Sequence, residues 1–63
     1  RFAYYVRLPS ACRGRLPAAE VLSDTDGVLR LITEGMSVAA MHAAAKTLRA
    51  EGCGVFFAAL REG

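Results

Sequence analysis

The stretch Ser37-Val-Ala-Ala-Met-His-Ala-Ala-Ala-Lys-Thr-Leu-Arg-Ala-Glu-Gly-Cys-Gly-Val-Phe-Phe-Ala-Ala-Leu60 decides how this 63-residue chain is read, because a helical period runs almost directly into an apolar strand. Val38, Met41, Ala45 and Leu48 recur at helical spacing and form a core-facing stripe. Ser37 suits an N-cap, its hydroxyl accepting from an amide of the first turn, and Gly52 suits the left-handed position past the last turn. A helix is therefore expected between Ser37 and Gly52. Away from the stripe stand Ala39, Ala40, Ala43 and Ala50, where a solvated helix normally carries Glu, Lys or Gln. Small residues there allow a second backbone to approach; the plainer reading is that alanine is the best helix former and sits in water. Cys53 to Leu60 then reads as a strand apolar on both faces, as expected of a central strand covered on both sides.

Working back toward the N-terminus, Phe2 to Leu8 alternates as a half-buried strand, with Phe2, Tyr4, Val6 and Leu8 inward and Ala3, Tyr5 and Arg7 outward. Its polar face predicts an edge position. Pro9 ends it, and Ser10 to Arg15 reads as a loop. Pro17 fits a first helical position, so Ala18 to Ser23 is expected to form two short turns of helix. Asp24-Thr-Asp-Gly27 is turn chemistry, and Val28 to Thr33 is aliphatic enough for a second strand.

The expected order is β-α-β-α-β: a small α/β domain over residues 1–63, with a three-stranded sheet, one long helix and one short one. Its second half has the length of a right-handed crossover between parallel strands. A domain of about 60 residues buries only about 60 % of its unfolded surface. The 54 % hydrophobic content therefore serves best if some of it is covered by a second chain or domain. Homodimerisation needs only one self-complementary patch, and pairing edge strands across a dyad also satisfies their free amides. The start at Arg1 in place of a methionine equally fits a processed chain or a piece of a longer one.

Two cysteines, Cys12 and Cys53, at wide separation read as ordinary thiols, a single bridge being the less expected alternative. No apolar run approaches the roughly 18 residues that span a bilayer, and no signal peptide is visible, so a cytoplasmic address is expected by default and no membrane partner. His42 has no carboxylate at helical spacing to orient it and no cysteine at ligand spacing, which leaves no expected metal site, cofactor or Cys-His nucleophile.

Val21-Leu-Ser-Asp24-Thr-Asp26-Gly-Val-Leu29 resembles the first motif of haloacid dehalogenase-like phosphatases. The resemblance implies Asp24 as nucleophile, Asp26 as acid/base and a bound magnesium ion. It spans nine residues, and no downstream acidic pair or room for that family's core accompanies it; an Asp-rich turn is the preferred reading. Tyr4-Tyr-Val-Arg-Leu-Pro9 resembles the first RNA-contacting strand of RNA recognition motifs, which implies that Tyr5 stacks a base beside Arg7. That family has four strands and a second aromatic-rich motif, neither of which is read between Gly27 and Met36, so membership is not asserted.

Arg1, Arg7, Arg13 and Arg15 all precede the first acidic residue, Glu20, although the net charge is only +2. A basic end carrying Tyr5 is able to bind phosphates and stack a base, yet the balance falls short of a dedicated nucleic-acid binder. The expected function is a non-enzymatic protein-protein interaction module, a homodimer or part of a larger protein, with Ala39, Ala40, Ala43, Phe56 and Phe57 at the interface. A nucleic-acid module using Tyr5, Arg7, Arg13 and Arg15 is the alternative. An enzyme, with no catalytic residue to name, comes third.

Overall fold

The computed structural model describes residues 2–60. The elements are β1 (Ala3–Pro9), a 3-10 turn (Ser10–Cys12), β2 (Glu20–Thr25), β3 (Val28–Glu34), α1 (Val38–Ala50) and β4 (Phe56–Leu60). They form a small α/β fold with one helix and a four-stranded antiparallel sheet in the order β2-β3-β1-β4. Arg1, which contributed to the basic end, and Arg61 and Glu62, expected to bound the last strand, lie outside the described residues.

Three expectations are corrected. The sheet has four strands, because β2 takes up residues 20–23 of the segment expected to be a short helix and Asp24 and Thr25 of the expected turn. Asp26 at φ +56° and Gly27 at φ +76° form a two-residue turn with both central residues left-handed, the geometry whose twist matches a tight hairpin. Once Asp26-Gly27 joins two strands, residues 20–25 must pair with β3. Strand positions are also reversed: β1 lies between β3 and β4, and β4 is at the edge. The connection from β3 through α1 to β4 does run between strands of the same direction, but β1 separates them, so it is a split β-α-β crossover. Finally, the cysteines are paired, Cys12 to Cys53, across a sequence separation of 41.

Alternation explains the core. Tyr4, Val6 and Leu8 of β1 and Leu29 and Leu31 of β3 lie on one face and meet Met41, Ala45 and Leu48 of α1. Two inward expectations fail: Val38, the first residue of the helix, is 45 % exposed, and Phe2, which precedes β1, is 47 % exposed. Ser37 caps α1 through a hydrogen bond that its Oγ accepts from the Ala40 amide at 3.1 Å. At the other end Gly52, at φ +88°, lets its own amide reach the Arg49 carbonyl and the Cys53 amide reach that of Leu48, which closes the helix and aims Cys53 back at the core. Cys12 and Leu16, from the connection between β1 and β2, bury beside the same helix. The bridge thus ties that connection to the end of α1.

Candidate interaction surface

The cross-strand register fixes what the other side of the sheet carries, since directly opposed residues share a face. Arg7 lies opposite Arg30 on β3 and Phe56 on β4, and Tyr5 opposite Ile32 and Ala58. Ala3 stands between Glu34 and Leu60, while β2 adds Glu20 opposite Ile32 and Ser23 opposite Arg30. The helix and the buried side chains of the β1–β2 connection belong to the opposite face. No described element covers this side. Phe56 is 52 % exposed and Leu60 42 %, with Ala58 and Arg7 also exposed and Tyr5, Arg30 and Ile32 half-buried.

Two guanidinium groups therefore project from directly opposed positions on β1 and β3. Like charges so placed repel. The Arg7 guanidinium lies over the Phe56 ring, 5.0 Å from its centroid. This cation-π contact turns one charge toward β4 without neutralising it.

The four residues of the expected nucleic-acid surface divide. Tyr5 and Arg7 share the open face, whereas Arg13 bonds Asp24 at 2.7 Å and Arg15 pairs with Glu51. Those two arginines fasten the β1–β2 connection to β2 and to the end of α1. The residues of the expected oligomer interface divide as well. Ala39, Ala40 and Ala43 are exposed on the helix, Phe56 is on the open sheet face, and Phe57 turns the other way, edge-on to the rings of Tyr4 and His42 at 6.0 and 5.2 Å. Arg30 and Ile32 were missed, although the alternation of β3 between Leu29, Leu31, Thr33 and Val28, Arg30, Ile32 carries the signal.

Asp24 accepts hydrogen bonds from the Ser10 hydroxyl and the Arg13 guanidinium, and Asp26 sits in the hairpin turn. The pair is thus a strand residue and a turn residue. Among the described residues no group of three or more His, Cys, Asp or Glu side chains is placed to hold a metal ion, and no pocket is present. No helix among them is long and apolar enough to cross a membrane. Comparisons with protein-family models, with curated proteins and with solved structures find no significant match to this chain.

Proposed function

We propose that the chain is a non-enzymatic interaction module that works as a homodimer. The observation that carries this reading is the apolar edge strand β4, whose Phe56, Ala58 and Leu60 lie exposed at the margin of the uncovered side of the sheet. So small a fold has one helix to spend, and it covers the opposite face. Apolar surface left exposed in this way is a feature of sites that meet another molecule. A second copy is the occupant requiring least, because a two-fold contact asks for one self-complementary patch. The disulfide favours an oxidising compartment over the cytoplasmic address expected by default. Sedimentation equilibrium across micromolar concentrations tests the reading: a dimer is expected, and a monomer throughout overturns it.

A second reading rests on the opposed Arg7 and Arg30, flanked by Tyr5 and Phe56. Guanidinium groups beside aromatic rings on an open face suit a single-stranded nucleic acid, whose phosphates pair with the former and whose bases stack on the latter. Anisotropy of a labelled single-stranded oligonucleotide tests it. Binding that weakens steeply with salt and is lost in Arg7→Ala/Arg30→Ala supports this reading; no binding at low salt removes it.

A further inference from the structure

The two edges of the sheet are built differently. At β2 the ladder with β3 slips between Val21 and Ser23, a bulge that leaves Leu22 unpaired, and Glu20 and Asp24 place carboxylates along the strand. Bulges and charges of this kind keep a sheet edge from pairing with another chain. In contrast β4, Phe-Phe-Ala-Ala-Leu over residues 56–60, has no charge, no proline and an unbroken register with β1. One edge is guarded and the other is not.

The backbone alternation shows which groups of β4 are free. Gly35 donates to the Phe2 carbonyl, and Ser10 donates to that of Gly27, so even-numbered residues of β1 turn their amides toward β3. Its odd-numbered residues accordingly face β4, where Leu60, Ala58 and Phe56 are their partners. The main-chain groups of Phe57 and Ala59 then point outward. Val55 follows the same parity, and its carbonyl is taken by Arg49, whose Nε and Nη2 donate at 3.1 and 2.7 Å. Arg49 therefore closes the edge just before Phe57 and leaves Phe57 and Ala59 for a partner.

We propose that a second copy of this chain adds its β4 antiparallel to this one, about a two-fold axis at Ala58, and joins the two sheets into one. This rests on the homodimer reading and specifies its interface. In that register Phe57 and Ala59 of each copy exchange main-chain hydrogen bonds with Ala59 and Phe57 of the other, which are the groups left free. The side chains are complementary: Phe56 meets Leu60 on the open face, Phe57 meets Ala59 on the helix side, and Ala58 meets its own copy where room is least. The axis runs perpendicular to the sheet, so both open faces end on one side and both helices on the other.

Two substitutions test the register. Ala59→Pro removes an outward amide without touching the ladder to β1, and edge positions of this kind tolerate proline. It deletes two donors per dimer and is expected to raise the Kd roughly 100-fold, at about tenfold for each, with the far-UV circular dichroism unchanged. Ala58→Cys sets two thiols across the axis, at a non-hydrogen-bonded pair with a Cα separation of about 4.5 Å. Mild oxidation is expected to give a covalent dimer, while Ala40→Cys on the helix stays uncrosslinked. If Ala59→Pro fails to fold, the Ala58→Cys crosslink decides. A wild-type dimer that survives Ala59→Pro and crosslinks through Ala40→Cys overturns this interface and leaves the homodimer standing. A monomeric wild type overturns both.

Discussion

Breaking the Cys12–Cys53 bridge should remove a large part of the stability of this chain. The bridge closes a loop of 41 residues, and in the chain-entropy account a loop of that length contributes about 4 kcal/mol by restricting the unfolded state. A chain of this size has a total of about 3–9 kcal/mol at the usual 0.05–0.15 kcal/mol per residue. Reduction therefore removes about two-fifths of it at the upper end of that range and all of it at the lower end. The cut also falls on a connection with few other ties, since the β1–β2 segment is held otherwise by the burial of Leu16, two exposed ion pairs, the Ser10 hydroxyl bond to Asp24 and a few backbone bonds. The assay is urea unfolding followed by circular dichroism, comparing the oxidised protein, the protein in reductant, and Cys12→Ala/Cys53→Ala. The reduced protein and the double variant should agree with each other and lie about 4 kcal/mol below the oxidised form, with Tm lower by about 20–30 °C. Because the effect is placed in the unfolded chain, whatever fraction stays folded should keep the native spectrum. Unfolding free energies within about 1 kcal/mol of each other would refute the reasoning.

Other expectations are as direct. Val6→Asp should unfold the protein, because an unpaired carboxylate at a fully buried site costs several kcal/mol, whereas Tyr5→Ala/Arg7→Ala on the open face should leave a cooperative melt. The reverse result would mean the opposite strand register. Tyr4→Phe should be neutral or stabilising by about 1 kcal/mol, since the Tyr4 hydroxyl is buried with no hydrogen-bond partner among the described residues; a loss above that in thermal melts would show that the hydroxyl is satisfied in solution. Asp24→Asn should change stability by no more than about 1 kcal/mol, because its pair with Arg13 is largely exposed. Magnesium-dependent phosphatase activity abolished by that change would instead revive a catalytic role.

The helix was legible because its period, its capping serine and its closing glycine agree, and Met41, Ala45 and Leu48 are buried as that period requires. β2 was hidden for a physical reason: the bulge at Leu22 shifts the alternation by one residue in mid-strand, so neither half is long enough to show a period of two. Only Asp26-Gly27, as a hairpin turn, announces it. β4 misled in another way, since apolar residues on both faces read as a central strand while Phe56, Ala58 and Leu60 are bare. On the open face, Tyr5 and Arg7 follow from parity within one strand. Phe56 and Arg30 join them only through pairing between distant segments. Charge counting also credited Arg13 and Arg15 with a free surface, because their carboxylate partners lie 11 and 36 residues away in sequence.

The place of β1 also governs the order in which the molecule can form. Tyr4 pairs with Thr33 on one side and Ala59 on the other, so the strand made first waits longest for its neighbours. On a ribosome, the β2–β3 hairpin is the first part of the sheet able to close by itself, with β1 docking beside it. The last strand must then return across the whole helix to seal the remaining flank of β1. Until it does, the middle of the finished sheet is an exposed margin, and a chain halted before Phe56 presents that margin to every neighbour it meets.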